Sequence, residues 1–85
     1  MPNLALETSA RAAVLGEARL LGVDPGLALR SFPVRSLACH VIRLRGGARA
    51  GEALPPTVTP EDSARADQLS AECSDLISQL PKGST

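Results

Sequence analysis

Cysteine and histidine are the residue types in this chain that could serve as a catalytic nucleophile, a base or a soft metal ligand. Cys39 and Cys73 are the two thiols, and His40 is the single imidazole. Because neighbouring residues on a helix point about 100° apart, Cys39 and His40 do not face each other as a nucleophile and its base must. Structural zinc takes four ligands, usually as close pairs, and these residues fall short of that pattern. We therefore expect no catalytic residue, no metal site and no cofactor, and a protein that is not an enzyme.

Arginine is the other residue type that could form a site, by binding anions, and it is concentrated in the middle of the chain. Residues 30–49 contain five arginines and no acidic residue, whereas residues 51–85 hold six of the nine acids, so the chain as a whole is neutral. Two interpretations carry equal weight: an anion-binding patch, or a basic segment covered by the acidic C-terminal helix of the same chain. The candidate contacts to an anion or to nucleic acid are Arg30, Arg35, Arg43, Arg45 and Arg49.

Residues 14–33 resemble the helix-turn-helix of DNA-binding regulators. Ala18 and Gly22 keep the motif's interval of four between a small residue and the turn glycine. The resemblance implies a short helix after the turn that presents Arg30 to the major groove. It supports an alternative function, a small DNA-binding transcriptional regulator that uses the basic segment 30–49.

Targeting signals also bear on the class of protein. The apolar runs are a few residues long, far short of the roughly 20 that span a bilayer. Residues 1–15 include Glu7 and Arg11, which interrupt the apolar stretch that a signal peptide needs. Two cysteines are too few for a disulfide scaffold and favour free thiols. We expect a cytoplasmic protein with no membrane contact.

The clearest predicted element is an amphipathic helix at 59–81, followed by a tail at 82–85. Thr59 suits the N-cap and Pro60 the first helical position. Apolar side chains then recur at the spacing of one helix face. These candidate partner-binding residues are Leu69, Cys73, Leu76, Ile77 and Leu80. The pattern leaves open whether this face binds a partner or belongs to the protein's own core.

The preceding residues predict a helical unit over 1–45 and a connection over 46–58. Apolar spacing, together with capping residues, glycines and prolines, predicts the helices of this unit at about 4–21, 25–32 and 36–45. We expect Pro33 to end the second helix, because the residue before a proline is disfavoured in helical conformation, and Ser36 to cap the third. Three glycines and two prolines in 46–58 predict a flexible linker.

Together these patterns predict an all-α fold, a small bundle of three to four short helices with the C-terminal amphipathic helix beyond the linker. Phe32 is the single aromatic residue, so the core is poor in large side chains and a partner is expected to add stability. The predicted function is a small regulatory protein, an adaptor or inhibitor of the bacterial or phage kind, acting by helix-mediated binding to a protein partner or to a second copy of itself.

Overall fold

The computed structural model describes residues 4–82, and within them the chain forms four α-helices and no β-strand. The helices are α1 (Leu4–Leu21), α2 (Pro25–Arg30), α3 (Phe32–Leu44) and α4 (Pro60–Ser78). The predicted all-α fold is confirmed. Residues 1–3 and 83–85, which include most of the predicted tail, lie outside the described part of the chain.

Helix α1 buries one stripe of small apolar side chains and ends at a glycine. Ala10, Val14 and Ala18 recur at intervals of four and are all buried. Gly22 then adopts a φ of 71°, a left-handed conformation that a side chain would oppose. This turn brings the Val23 N–H to the Ala18 carbonyl at 2.9 Å, which satisfies one of the carbonyls left free at the helix end.

The boundary between α2 and α3 differs from the prediction. Helix α2 ends at Arg30 rather than 32, and α3 begins at Phe32 rather than 36. Ser31 caps α3, because its Oγ accepts a hydrogen bond from the Val34 N–H at 3.4 Å. Pro33 lies in the first turn of α3, where a backbone N–H has no partner within the helix and its loss costs little. The predicted roles of Pro33 as a stop and Ser36 as a cap were therefore wrong.

The start of α4 agrees with the prediction. The Thr59 side chain accepts a hydrogen bond from the Asp62 N–H at 3.1 Å, and Pro60 occupies the first turn. Glu61 and Asp62 also lie in that turn, where negative charge interacts favourably with the helix dipole.

Helix α3 lies at the centre of the packing. It makes extensive contact with both α1 and α4, whereas α1 and α4 touch each other much less. The largest fully buried side chains are only Ile77, Val14 and Val34. The core is thus built from small aliphatic residues. Helices α1 and α4 both pack on α3 and make less contact with each other.

The connection 45–59 contains turns and neither helix nor strand, and the flexible linker expected over 46–58 stays a prediction. Ala48 within it is buried. Gly46 has a φ of 66°, and a Cβ at that position would lie 2.9 Å from the Pro55 side chain. The two ends of the connection therefore pack closely against each other at Gly46.

Beyond α4, the chain returns to the end of α1. Lys82 pairs with Val23 in an isolated antiparallel bridge, and its Nζ donates to the Leu21 carbonyl at 2.9 Å. None of the helices in residues 4–82 combines the length and the apolar content needed to cross a membrane.

Candidate functional site

The apolar face of α4 lies in the protein's own core. Leu69, Cys73 and Ile77 are buried, and Leu76 and Leu80 are half-buried against the same core. The face thus packs against the protein's own core, and Cys73 and Ile77 also line the groove described below. That this face binds a partner stays a prediction.

The five candidate arginines have different surroundings. Arg45 and Arg49 line a groove between α1 and α4, and Arg43 lines a smaller neighbouring pocket that shares Ser9 with it. Arg30 and Arg35 are exposed. Helix α4, which carries many of the acidic residues, packs along α3. Arg30, Arg35 and Arg43 nevertheless remain exposed, so both interpretations of the charge pattern stay predictions.

The residues of the helix-turn-helix resemblance form two helices joined by a turn. Ala18 and Ala28 are buried, as the motif requires. However, α2 stands in the position of the recognition helix and has only six residues. After Arg30 the chain enters the Ser31 cap of α3, so few side chains of α2 are available to reach base edges. DNA binding stays a prediction, and no observation in residues 4–82 favours it.

Cys39, His40 and Cys73 are not assembled into a reactive or metal-binding cluster. Cys39 is half-buried, His40 is exposed and Cys73 is buried, and both thiols are free. Within the described residues, no three histidine, cysteine or acidic side chains are placed to hold a metal ion.

The packing leaves a groove of about 550 Å³ between α1 and α4, with α3 as its floor. We call it the α1–α4 groove. Its volume is within the range of roughly 300–1,000 Å³ that is typical of binding sites. The residues of the three helices that line it are Ser9, Ala12, Ala13, Val14, Gly16, Glu17 and Leu20 of α1, Ala38, Val41 and Ile42 of α3, and Ser70, Cys73, Ser74 and Ile77 of α4.

Small residues on α1 are the reason the groove is open. Ala12 and Ala13 are exposed, and a Cβ added to Gly16 would meet no atom within 4 Å. Leu20 follows one turn after Gly16 and is 83% exposed, the most exposed large apolar side chain in the described chain. Helix α1 therefore carries a second set of small and apolar residues, beside its buried stripe, that the other helices of residues 4–82 leave open.

Two arginines stand at one end of the groove. The Arg49 Nε donates to the Ser9 hydroxyl of α1 at 3.2 Å, and the Arg45 Nε donates to the Ala48 carbonyl at 3.3 Å. Each guanidinium is thus held through Nε. Within residues 4–82, neither arginine has an ion-pair partner, and their Nη groups have no acceptor.

Glu17 marks a second polar point, further along α1. The Ser74 hydroxyl of α4 donates to a Glu17 carboxylate oxygen at 2.9 Å, which links the two walls. Burial, together with the negative charge of Glu17, raises the pKa of the Cys73 thiol above its ordinary value. The thiol also donates to the Val34 carbonyl at 3.6 Å. Cys73 therefore contributes a neutral, weakly polar surface to the groove rather than a nucleophile.

The α1–α4 groove was not among the sites predicted from the sequence, although a signal for it exists. Ala13, Gly16 and Leu20 follow helical spacing along α1, beside the stripe that contains Val14. A helix with apolar or small residues on two sides has more apolar surface than a single contact with the core can bury. This unburied apolar surface on α1 is the feature of the sequence that could have indicated the groove.

Comparison with protein-family models, with curated proteins and with solved structures gives no match for this chain. The functional assignment therefore rests on the geometry of the groove and of the residues that line it.

Proposed function

We propose that this protein is a small non-enzymatic adaptor or inhibitor that binds a partner protein by accepting an amphipathic helix of that partner in the α1–α4 groove. The observation that carries the proposal is the open apolar groove between two helices that both pack on α3. Insertion of an amphipathic helix into such a groove is a recurrent mode of protein recognition.

The proposal exchanges the roles expected from the sequence. The sequence predicts that the apolar face of α4 fits a groove of a partner protein or a second copy of this chain. Because Ile77 and its neighbours on that face are buried in the core, the partner supplies the helix and this protein supplies the groove.

The dimensions of the groove suit a short helix. Along α1 the lining residues extend from Ser9 to Leu20, a span of about 16 Å at about 1.5 Å per residue. Three turns of a partner helix cover that length. Small side chains at Ala13 and Gly16 permit a close approach of the two helix backbones, since the distance between packed helices depends on the side chains at the contact.

Leu20 adds an apolar contact at the end of the groove. Full burial of a leucine side chain that is otherwise exposed stabilises a complex by about 1.5–3 kcal/mol. A partner side chain that covers Leu20 would therefore contribute measurably to affinity.

The non-enzymatic part of the proposal is supported by the chemistry of the groove lining. Cys73 has a raised pKa, and His40 is exposed and is not among the lining residues. A cytoplasmic location completes the proposal and is supported by the two free thiols, since reduced cysteines are characteristic of that compartment.

The test fills the groove and asks whether helix binding is lost. A displayed library of amphipathic 14-residue peptides is selected on the wild-type protein, and the enriched peptides are measured by fluorescence anisotropy. Gly16→Trp places an indole in the groove, where a side chain meets no atom within 4 Å at its first carbon. We expect this variant to lose binding while its helical circular dichroism is unchanged.

The matched control is Arg11→Trp, which adds the same side chain at an exposed position of α1 that does not line the groove. We expect it to bind as the wild type does. Equal binding by the wild-type protein and Gly16→Trp would overturn the proposal, and so would a selection that enriches no peptide.

A further inference from the structure

The two ends of the α1–α4 groove differ in charge, and this difference constrains what the groove can accept. Arg49 is attached to Ser9 near the start of α1, whereas Glu17 lies eight residues further along the same helix. At about 1.5 Å per residue, the positive and negative points are about 12 Å apart along the groove. Between them the lining is apolar, with Ala13 and Gly16 on the α1 side.

The positive end presents two guanidinium groups, and the acid already bonded there, Glu52, is held by the Arg49 backbone N–H at 2.7 Å and not by a guanidinium. A guanidinium presents its N–H groups in a planar fork that matches the two oxygens of a carboxylate. In both Arg45 and Arg49 the Nε is already bonded to the protein, which fixes the orientation of the fork, and the Nη groups have no acceptor in residues 4–82. An acidic side chain that arrives there meets donors that are already oriented, so less side-chain entropy is lost on binding.

The negative end of the groove favours a side chain of the opposite charge. Glu17 accepts one hydrogen bond, from Ser74, and a carboxylate can accept several. A basic side chain is therefore the complementary group at this end, and an acidic one would be repelled.

We propose that the helix accepted by the α1–α4 groove carries an acidic residue that pairs with Arg45 and Arg49 and, about two turns away on the same face, a basic residue that pairs with Glu17. This inference rests on the proposed function. Positions seven apart on a helix return to the same face and lie about 10.5 Å apart, close to the separation of the two charged points. The apolar positions between them cover Ala13 and Gly16.

The experiment uses the full chain and a defined probe, a 14-residue amphipathic peptide library with two positions seven apart that each hold Glu, Gln or Lys. We expect selection on the wild-type protein to enrich the Glu and Lys combination over the Gln pair, with an affinity gain of about tenfold at low salt. The double variant Arg45→Gln and Arg49→Gln should lose the preference for Glu while retaining binding through the apolar positions.

The control is Arg43→Gln, which removes an exposed arginine of α3 that does not line this groove. It should preserve both the affinity and the preference. A preference that disappears in Arg43→Gln as well would indicate attraction by net charge alone and would overturn the inference.

The other outcomes separate the two proposals. Peptides that bind the wild-type protein but not Gly16→Trp, with no charge preference, would overturn this inference and leave the proposed function standing. Absence of any groove-dependent peptide would overturn both. Dimerisation of the wild-type protein that Gly16→Trp abolishes in sedimentation would assign the groove to a second copy of the chain, which also contradicts a partner helix with this pair of charges.

Discussion

The thiol of Cys73 is held in its protonated form by three features of its surroundings. Burial disfavours the thiolate, the Glu17 carboxylate repels it, and the Val34 carbonyl accepts a hydrogen bond from the neutral thiol. All of these effects favour the neutral thiol over the thiolate. Because they exist only in the folded protein, the protonation of this one side chain is coupled to folding.

The coupling predicts a loss of stability in alkaline solution. The pKa of Cys73 is raised in the folded state above the ordinary thiol value of 9.0, so above that pH the unfolded chain releases this proton more readily than the folded one. The stability contributed by the neutral thiol is complete below 9.0 and is lost as pH rises through the folded value. We expect urea unfolding, followed by circular dichroism, to show a free energy of unfolding that declines above this pH.

Cysteine variants isolate the source of that decline. Cys73→Ala should flatten the dependence on pH, although it lowers stability at every pH because it removes a buried atom. Cys39→Ala should leave the slope of the wild-type protein intact. An equal slope in the wild-type protein and Cys73→Ala would assign the decline to other groups.

At the scale of the element, local sequence accounts for some helix boundaries and not for others. The start of α4 was predictable because Thr59, Pro60 and the acidic first turn all indicate the same position. The start of α3 was not, because Ser31 and Ser36 are equally good caps by type. The structure selects Ser31, since Pro33 then lies in the first turn of α3.

The stability that the Thr59 cap contributes through its one side-chain hydrogen bond should be measurable as a change in the free energy of unfolding. Thr59→Ala removes the acceptor of the Asp62 N–H, and loss of an N-cap costs about 1 kcal/mol, within a range of roughly 0.5–2. Because α4 supplies part of the core, the whole protein should be destabilised by that amount in urea unfolding. Thr57→Ala, an exposed change in the connection, is the control and should be close to neutral. Equal effects of the two substitutions would show that Thr59 acts in some other way than as a cap.

At the scale of the whole molecule, the sequence predicted the elements but not how they pack. Periodicity identified the face of α4 that contains Leu69 and Ile77, yet an apolar stripe has the same spacing whether it meets a partner or its own chain. The α1–α4 groove was missed for a related reason. Its existence depends on how α3 separates α1 from α4, a property of three-dimensional packing that the spacing of small residues on α1 signals only in part.

A matched pair of truncations tests this packing. Ile77 is 1% exposed and Leu20 is 83% exposed. Ile77→Ala should cost about 2–5 kcal/mol, because it removes buried methyl groups and leaves a cavity, whereas Leu20→Ala should change stability by less than about 0.5 kcal/mol. The free energy of unfolding in urea gives both values. A small effect of Ile77→Ala would contradict the placement of the α4 face in the core.

The order in which the helices are joined also affects the order in which they pack during folding. Helices α1, α2 and α3 follow one another through turns of at most three residues, whereas α4 reaches α3 only after the connection 45–59. Helical proteins with mostly short-range contacts fold in roughly microseconds to milliseconds, and the contacts of α4 with α3 are the ones that need this longer connection to close. Until it closes, Val34, Ala38 and Ile42 face water without α4. That interval is when a chaperone, or the α4 segment of a neighbouring chain, would find the same surface unoccupied.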